Sequence, residues 1–104
     1  AGTDITGFDL NGRRIERRDG RLTLVDGTLA GADLEMAAAV GLLVDKLGVA
    51  GDRALAMATS LPAGLAGLAG RHGTLEAGRE ANFVHLDEEF GLRGVWTHGR
   101  RNSL

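Results

Sequence analysis

Cysteine is absent from this 104-residue sequence, which rules out disulfides and thiolate metal sites and suits a reducing cytosol. Aromatic residues make up only 4%, so a core has to be assembled from Leu, Val and Ala. Neither sign of charge dominates. Twelve basic residues against 14 acidic ones leave a net charge of −2, no electrostatic footprint for nucleic acid or an anionic membrane. No apolar run approaches the ~20 residues that span a bilayer, and no signal-peptide pattern opens the chain. The opening Ala1-Gly2-Thr3-Asp4 lacks an initiator methionine and any helix or strand signal, and reads as the middle of a longer chain cut in a loop.

What is present suffices for a fold. A hydrophobic content of 43% excludes disorder and fits one domain by size. Asn11-Gly12 and Asp19-Gly20 both favour type I′ hairpin turns, because both residues of each pair tolerate positive φ. They separate Phe8–Leu10, Arg13–Arg18 and Arg21–Val25, which predicts a small antiparallel meander. The middle strand holds four arginines and one large apolar residue, Ile15, so most of it is expected to face water.

The stretch DGTLAGADLEM follows, two small-residue hinges around Leu29. Asp33 is expected to cap the next helix, with Glu35 in its first turn. Met36, Val40, Leu43, Val44 and Leu47 then recur at helical spacing as a core stripe, and Gly48 supplies the stop. A second helix is expected from about Gly51, burying Ala54, Leu55 and Ala58. The Thr59-Ser60-Leu61-Pro62 break should end it, with Pro62 as the first residue of a third helix through about Leu68. Helices this short are marginal alone and imply a larger surface to pack on. Ala81–Leu86 and Leu92–Thr97 read as two strands joined by Asp87-Glu88-Glu89, and Asn102-Ser103-Leu104 reads as a frayed end.

Few residues carry chemistry. His72, His85 and His98 form no HxH or HExxH pair, so they read as ordinary histidines rather than metal ligands. No GxSxG elbow surrounds Ser60, and no GxGxxG or P-loop pattern occurs. One candidate remains. Thr28-Leu29-Ala30-Gly31 either turns a corner or exposes backbone N–H groups beside a helix N-terminus, where an anion or a polar substrate group is favoured.

The order of segments resembles a known family. The hairpin with NG and DG turns, then DGTLAGADLEM, ALAMATSLPAGLAGL and GTLEAGREANFVHLD, together resemble the C-terminal portion of N-acetylglucosamine-6-phosphate deacetylase, in the amidohydrolase superfamily. The resemblance runs through nearly all of the chain but covers only the last quarter of such an enzyme. It implies an α+β fragment: the last part of a (β/α)8 metal-dependent hydrolase barrel plus the C-terminal strands of a small β-sandwich, with an antiparallel hairpin insertion. Residues 1–25 would be the insertion after the last barrel strand, 26–72 the substrate loop and closing helices, and 73–104 the sandwich strands.

The implied reaction hydrolyses N-acetylglucosamine 6-phosphate to glucosamine 6-phosphate and acetate, in a cytoplasmic enzyme that is a homodimer in the family. Its divalent metal ion, metal ligands and catalytic aspartate would lie upstream, so this chain holds no catalytic or metal-binding residue and is expected to be inactive alone. Only the substrate-contacting Leu-x-Gly loop carries over, onto Leu29, Ala30 and Gly31. Asn82 departs from the aspartate usual in amidohydrolase tails. The competing readings are the tail of a dihydroorotase or D-aminoacylase and a free-standing interaction module.

Overall fold

Asn11-Gly12 and Asp19-Gly20 take positive φ throughout, at 50° and 74° and at 50° and 73°, and so fold the first strands back on one another. The computed structural model describes residues 2–103; Ala1, at the expected cut, and Leu104, at the expected frayed end, lie outside them. The chain forms two units, Ala1–Glu35 and Met36–Leu104.

The N-terminal unit is a four-stranded antiparallel sheet in the order β1 (Gly7–Leu10), β2 (Arg13–Arg18), β3 (Arg21–Leu24) and β4 (Leu29–Ala32). Phe8, Ile15 and Leu24 stand opposite one another across three strands, and Ile15 at the centre is buried. This row makes one face apolar. On the other face Arg14 pairs with Asp9 at 3.6 Å and Arg18 with Glu16 at 3.1 Å. Arg17 is the exception to the expected solvation of β2, whose Arg13, Arg14 and Arg18 are exposed. It lies two residues from Ile15 and therefore on the apolar side, with its side chain only 20% exposed.

The glycine-rich segment is not a loop. It is strand β4, because the outer edge of β3 still has backbone groups to satisfy and Gly31 and Ala32 pair with Leu22 and Arg21. Asp33 therefore does not cap a helix, and Glu35 does not sit in a first turn. Helix α1 (Met36–Asp45) starts after both.

In the C-terminal unit, α1 buries Val40 and Gly41. Gly48 at φ 65° ends it, while Val49 N–H donates to the Leu43 carbonyl at 3.0 Å. The stripe is apolar as expected, but its ends are not covered: Met36 and Leu47 are largely exposed. Helix α2 (Gly51–Ala58) buries Ala54 completely and leaves Leu55 exposed. The break falls on Thr59 alone, at φ −133°, with its hydroxyl donating to the Leu55 carbonyl at 2.7 Å. Ser60 and Leu61 are already helical in α3 (Ser60–Leu65), so Pro62 is its third residue, not its first. A proline is tolerated there, since the first N–H groups of a helix have no intrahelical acceptor.

Gly73 follows at φ 92°, so close to the α2–α3 junction that a Cβ on it would lie 2.8 Å from Ala63 Cβ and Ser60 Cα. A three-stranded antiparallel sheet of β5 (Phe83–Leu86), β6 (Leu92–Thr97) and β7 (Arg100–Arg101) closes the unit. Strand β5 is shorter than expected, and β7 was not expected at all. A third positive-φ pair, His98 at 49° and Gly99 at 75°, makes the turn into β7. Asn102 is not frayed: its N–H donates to the Val95 carbonyl at 2.8 Å and its amide to Thr97 Oγ1 at 3.0 Å.

Candidate functional site

The predicted contact residues Leu29, Ala30 and Gly31 all lie on β4, the edge of the N-terminal sheet. Their geometry turns on one irregularity. Leu22 pairs with Gly31, but the next residue, Thr23, pairs with Leu29, so the register steps over Ala30. Such a bulge re-aims the side chains beside it. Without it Leu29 would face Leu24 in the apolar row. With it, Leu29 joins the row of Gly7, Glu16 and Thr23 on the polar side and stands 66% exposed. An apolar side chain turned away from the available core is a feature the packing of this sheet does not explain.

Both ends of β4 are held. At its start the turn Leu24–Gly27 closes through the Gly27 N–H to the Leu24 carbonyl at 2.9 Å, and Leu24 N–H reaches the Thr28 carbonyl at 2.8 Å. Asp26 Oδ1 accepts the Thr28 N–H at 2.9 Å. That bond, with the Thr28 hydroxyl, holds the Asp26 carboxyl below its usual range. At the far end Asp33 N–H donates to the Gly20 carbonyl at 3.1 Å, and Asp33 Oδ2 lies 2.8 Å from Arg17 Nε. Arg17 also donates through Nη1 to the Thr3 carbonyl. Sequence reasoning missed this clamp. A signal existed in the period-two pattern, which puts Arg17 on the Ile15 face where a charge needs a partner.

An open hollow of about 730 Å³ lies at this end of the sheet, lined by Gly2, Thr3, Asp4, Asp33 and Glu35. Three carboxylates make it a poor seat for a phosphate. A second hollow of about 800 Å³, in the C-terminal unit, is lined mostly by aliphatic side chains, among them Leu55, Ala63, Leu68 and Leu86, with His72 at its wall. His85 is exposed on β5 and His98 sits in the β6–β7 turn. Among the described residues no group of three or more His, Asp or Glu side chains is placed to hold a metal ion.

No family model matches the chain. An N-acetylgalactosamine-6-phosphate deacetylase of Escherichia coli O157:H7 is 32% identical over 97 residues, 93% of this chain and 26% of that protein. Its counterpart in Shewanella sp. strain ANA-3 is 32% identical over 98 residues, 94% of this chain and 25% of that protein. The crystal structure of N-acetylglucosamine-6-phosphate deacetylase from Pasteurella multocida superposes on all of this chain with a TM-score of 0.89 at 31% identity. The chain is similar to one part of these deacetylases.

The extent of the match is uneven between the partners. The chain spans about a quarter of these curated relatives, 58% of a further relative from Escherichia coli K12, and 27% of the Pasteurella chain. A Mycobacterium smegmatis deacetylase mutant, solved in complex with N-acetyl-D-glucosamine-6-phosphate, matches 96% of this chain with a TM-score of 0.77 at 27% identity. Since the Pasteurella superposition extends over all of this chain, it includes the bulged strand and Leu29.

Proposed function

We propose that the chain forms one wall of the substrate pocket in an enzyme that hydrolyses the N-acetyl amide of an N-acetylhexosamine 6-phosphate, releasing acetate and the free amino sugar. The observation that carries this reading is the bulge at Ala30, which holds Leu29 out on the polar side of its sheet. An exposed leucine on an edge strand offers an apolar surface to one face of a sugar ring, and Gly31 leaves the neighbouring backbone accessible. Binding energy at this wall orients the acetamido group without taking part in bond breaking.

The reading fits a segment of a (β/α)8-barrel hydrolase with a small β-sandwich, cytoplasmic and homodimeric. The absence of cysteine suits that location. The described residues here do not form a divalent-metal site, so no step through a metal is assigned to them. The acidic hollow beside Asp33 likewise leaves the phosphate to be held by other parts of the enzyme. N-acetylglucosamine 6-phosphate is the proposed substrate. The structural relatives carry that name, whereas the curated sequence relatives are named for the galactosamine epimer.

The test uses the complete enzyme that carries this segment. Leu29→Arg is expected to raise KM for N-acetylglucosamine 6-phosphate roughly tenfold or more, with a smaller change in kcat. Acetate release is measured with both epimers. Unchanged kinetics in Leu29→Arg would remove the site assignment, and faster turnover of the galactosamine epimer would move the substrate to that sugar. A dihydroorotase or D-aminoacylase reading requires that neither epimer be hydrolysed.

A further inference from the structure

Strand β4 has four residues, a glycine and two alanines among them, and strands of this kind specify their own register weakly. Something outside the strand has to fix the bulge at Ala30. The start of β4 is pinned at Thr28 by the Asp26 turn. Its end is pinned at Asp33 by Arg17 and by the Gly20 carbonyl. Between these two anchors the strand holds one residue more than β3 can pair, and the surplus is Ala30. Arg17 is suited to the task because it is itself immobilised. Its N–H donates to the Thr6 carbonyl at 2.8 Å, its Nη1 to the Thr3 carbonyl, and its Nη2 lies 3.5 Å from Thr3 Oγ1. One guanidinium thus ties the segment before β1 to the segment after β4, with Arg17 and Asp33 only 20% and 18% exposed.

We infer that Arg17 is a positioning residue: by holding Asp33 it keeps the bulge at Ala30 and thereby keeps Leu29 turned toward the substrate side. The functional half rests on the proposed role of Leu29. The register half does not. Loss of the clamp lets β4 relax into regular pairing, in which Leu29 faces Leu24 and leaves the polar side.

The experiment separates the two halves in the complete enzyme carrying this segment. Two cysteine pairs report register by disulfide formation, mapped on the oxidised peptides: Thr23→Cys with Leu29→Cys for the bulged strand, and Leu24→Cys with Leu29→Cys for the regular one. With Arg17 present the first pair is expected to close and the second to stay open. In Arg17→Met the preference is expected to reverse, and in Arg17→Met without added cysteines KM should rise roughly tenfold while kcat changes little. Asp33→Asn, which leaves the Arg17 bond to Thr3, is expected to act in the same direction and carries the test if Arg17→Met does not fold. An unchanged crosslink pattern in both variants overturns the clamp. A reversed pattern with unchanged KM keeps the clamp and overturns the substrate role of Leu29.

Discussion

In the N-terminal sheet the strands meet through turns and charges, at Asn11-Gly12, Asp19-Gly20 and the Arg17–Asp33 pair. In the C-terminal unit the elements meet where a glycine admits another residue's atoms. Gly73 lies against Ala63 and Ser60, and Gly41 against Phe90; within β6 itself, Gly94 lies beneath the Trp96 ring, where a Cβ would come 2.5 Å from a ring carbon. Trp96 is in turn stacked on Phe83 at 4.8 Å, with the Arg101 guanidinium 5.4 Å from its ring centre. The turns of the first unit are written in neighbouring residues. The close approaches at Gly73 and Gly41 depend on which distant surface arrives, and so the two units should differ in how they fail.

The sharpest test of that contrast compares two glycines. Gly73→Ala combines a left-handed backbone with a clash against the α2–α3 junction, and should cost about 2–4 kcal/mol in denaturant unfolding. Gly12→Ala has similar backbone strain at φ 74° but open space around it, and should cost only about 1 kcal/mol. Equal losses would show that close approach matters no more in one unit than in the other.

Acid separates the units less strongly. Asp87 Oδ1 accepts the Gly91 N–H at 2.7 Å and the Glu89 N–H at 3.0 Å, and Oδ2 lies 2.6 Å from Arg93. The backbone bond from Gly91, then those from Glu89 and Arg93, hold its carboxyl below the ordinary aspartate range. A depressed folded value contributes stability above the unfolded pKa of about 3.9, and that stability is lost as pH falls through the folded value. Asp87→Asn is therefore expected to lower stability at neutral pH and to flatten its decline below about pH 4, read from melts across that range. A decline as steep as that of the unmodified chain would remove Asp87 as the cause.

The smallest expected effect lies at Asn82. Its Oδ1 accepts the His98 N–H at 2.8 Å while its amide donates to Glu80 Oε2 at 3.0 Å. Either residue type can make the first bond, but only asparagine can make the second. Glu80 is held below the ordinary glutamate range by the Arg71 bond and, less, by the Asn82 amide. Asn82→Asp should therefore raise the Glu80 pKa, measurable by NMR titration, and leave the fold intact.

Much of the N-terminal sheet was legible because its turns announce themselves. Strands β1 to β3 follow from two dipeptides with required backbone angles. Strand β4 does not, since Leu-Ala-Gly-Ala carries no strand propensity and pairs only because β3 offers an edge. Helix periodicity identified the apolar face of α1 but could not say what covers it, which is why Met36 and Leu47 turned out exposed. Strand β6 matched from Leu92 to Thr97, whereas β7 spans two residues and rests on a His98-Gly99 turn of a kind sequence statistics rarely flag. At the candidate site, resemblance supplied Leu29, Ala30 and Gly31. The bulge that gives them meaning is a mismatch between two segment lengths, and no single residue encodes it.

Phe90, at φ 62°, leans on Gly41 so closely that an alanine methyl at that helix position would just touch its Cβ at 3.4 Å and its ring at 3.5 Å. Anything longer at residue 41 must evict the aromatic. Conversely, a smaller residue at 90 leaves a vacancy that only a bulkier 41 can fill. The two sites can therefore exchange volume only as a matched pair, and a lineage altering one at a time passes through a poorer intermediate whichever it changes first.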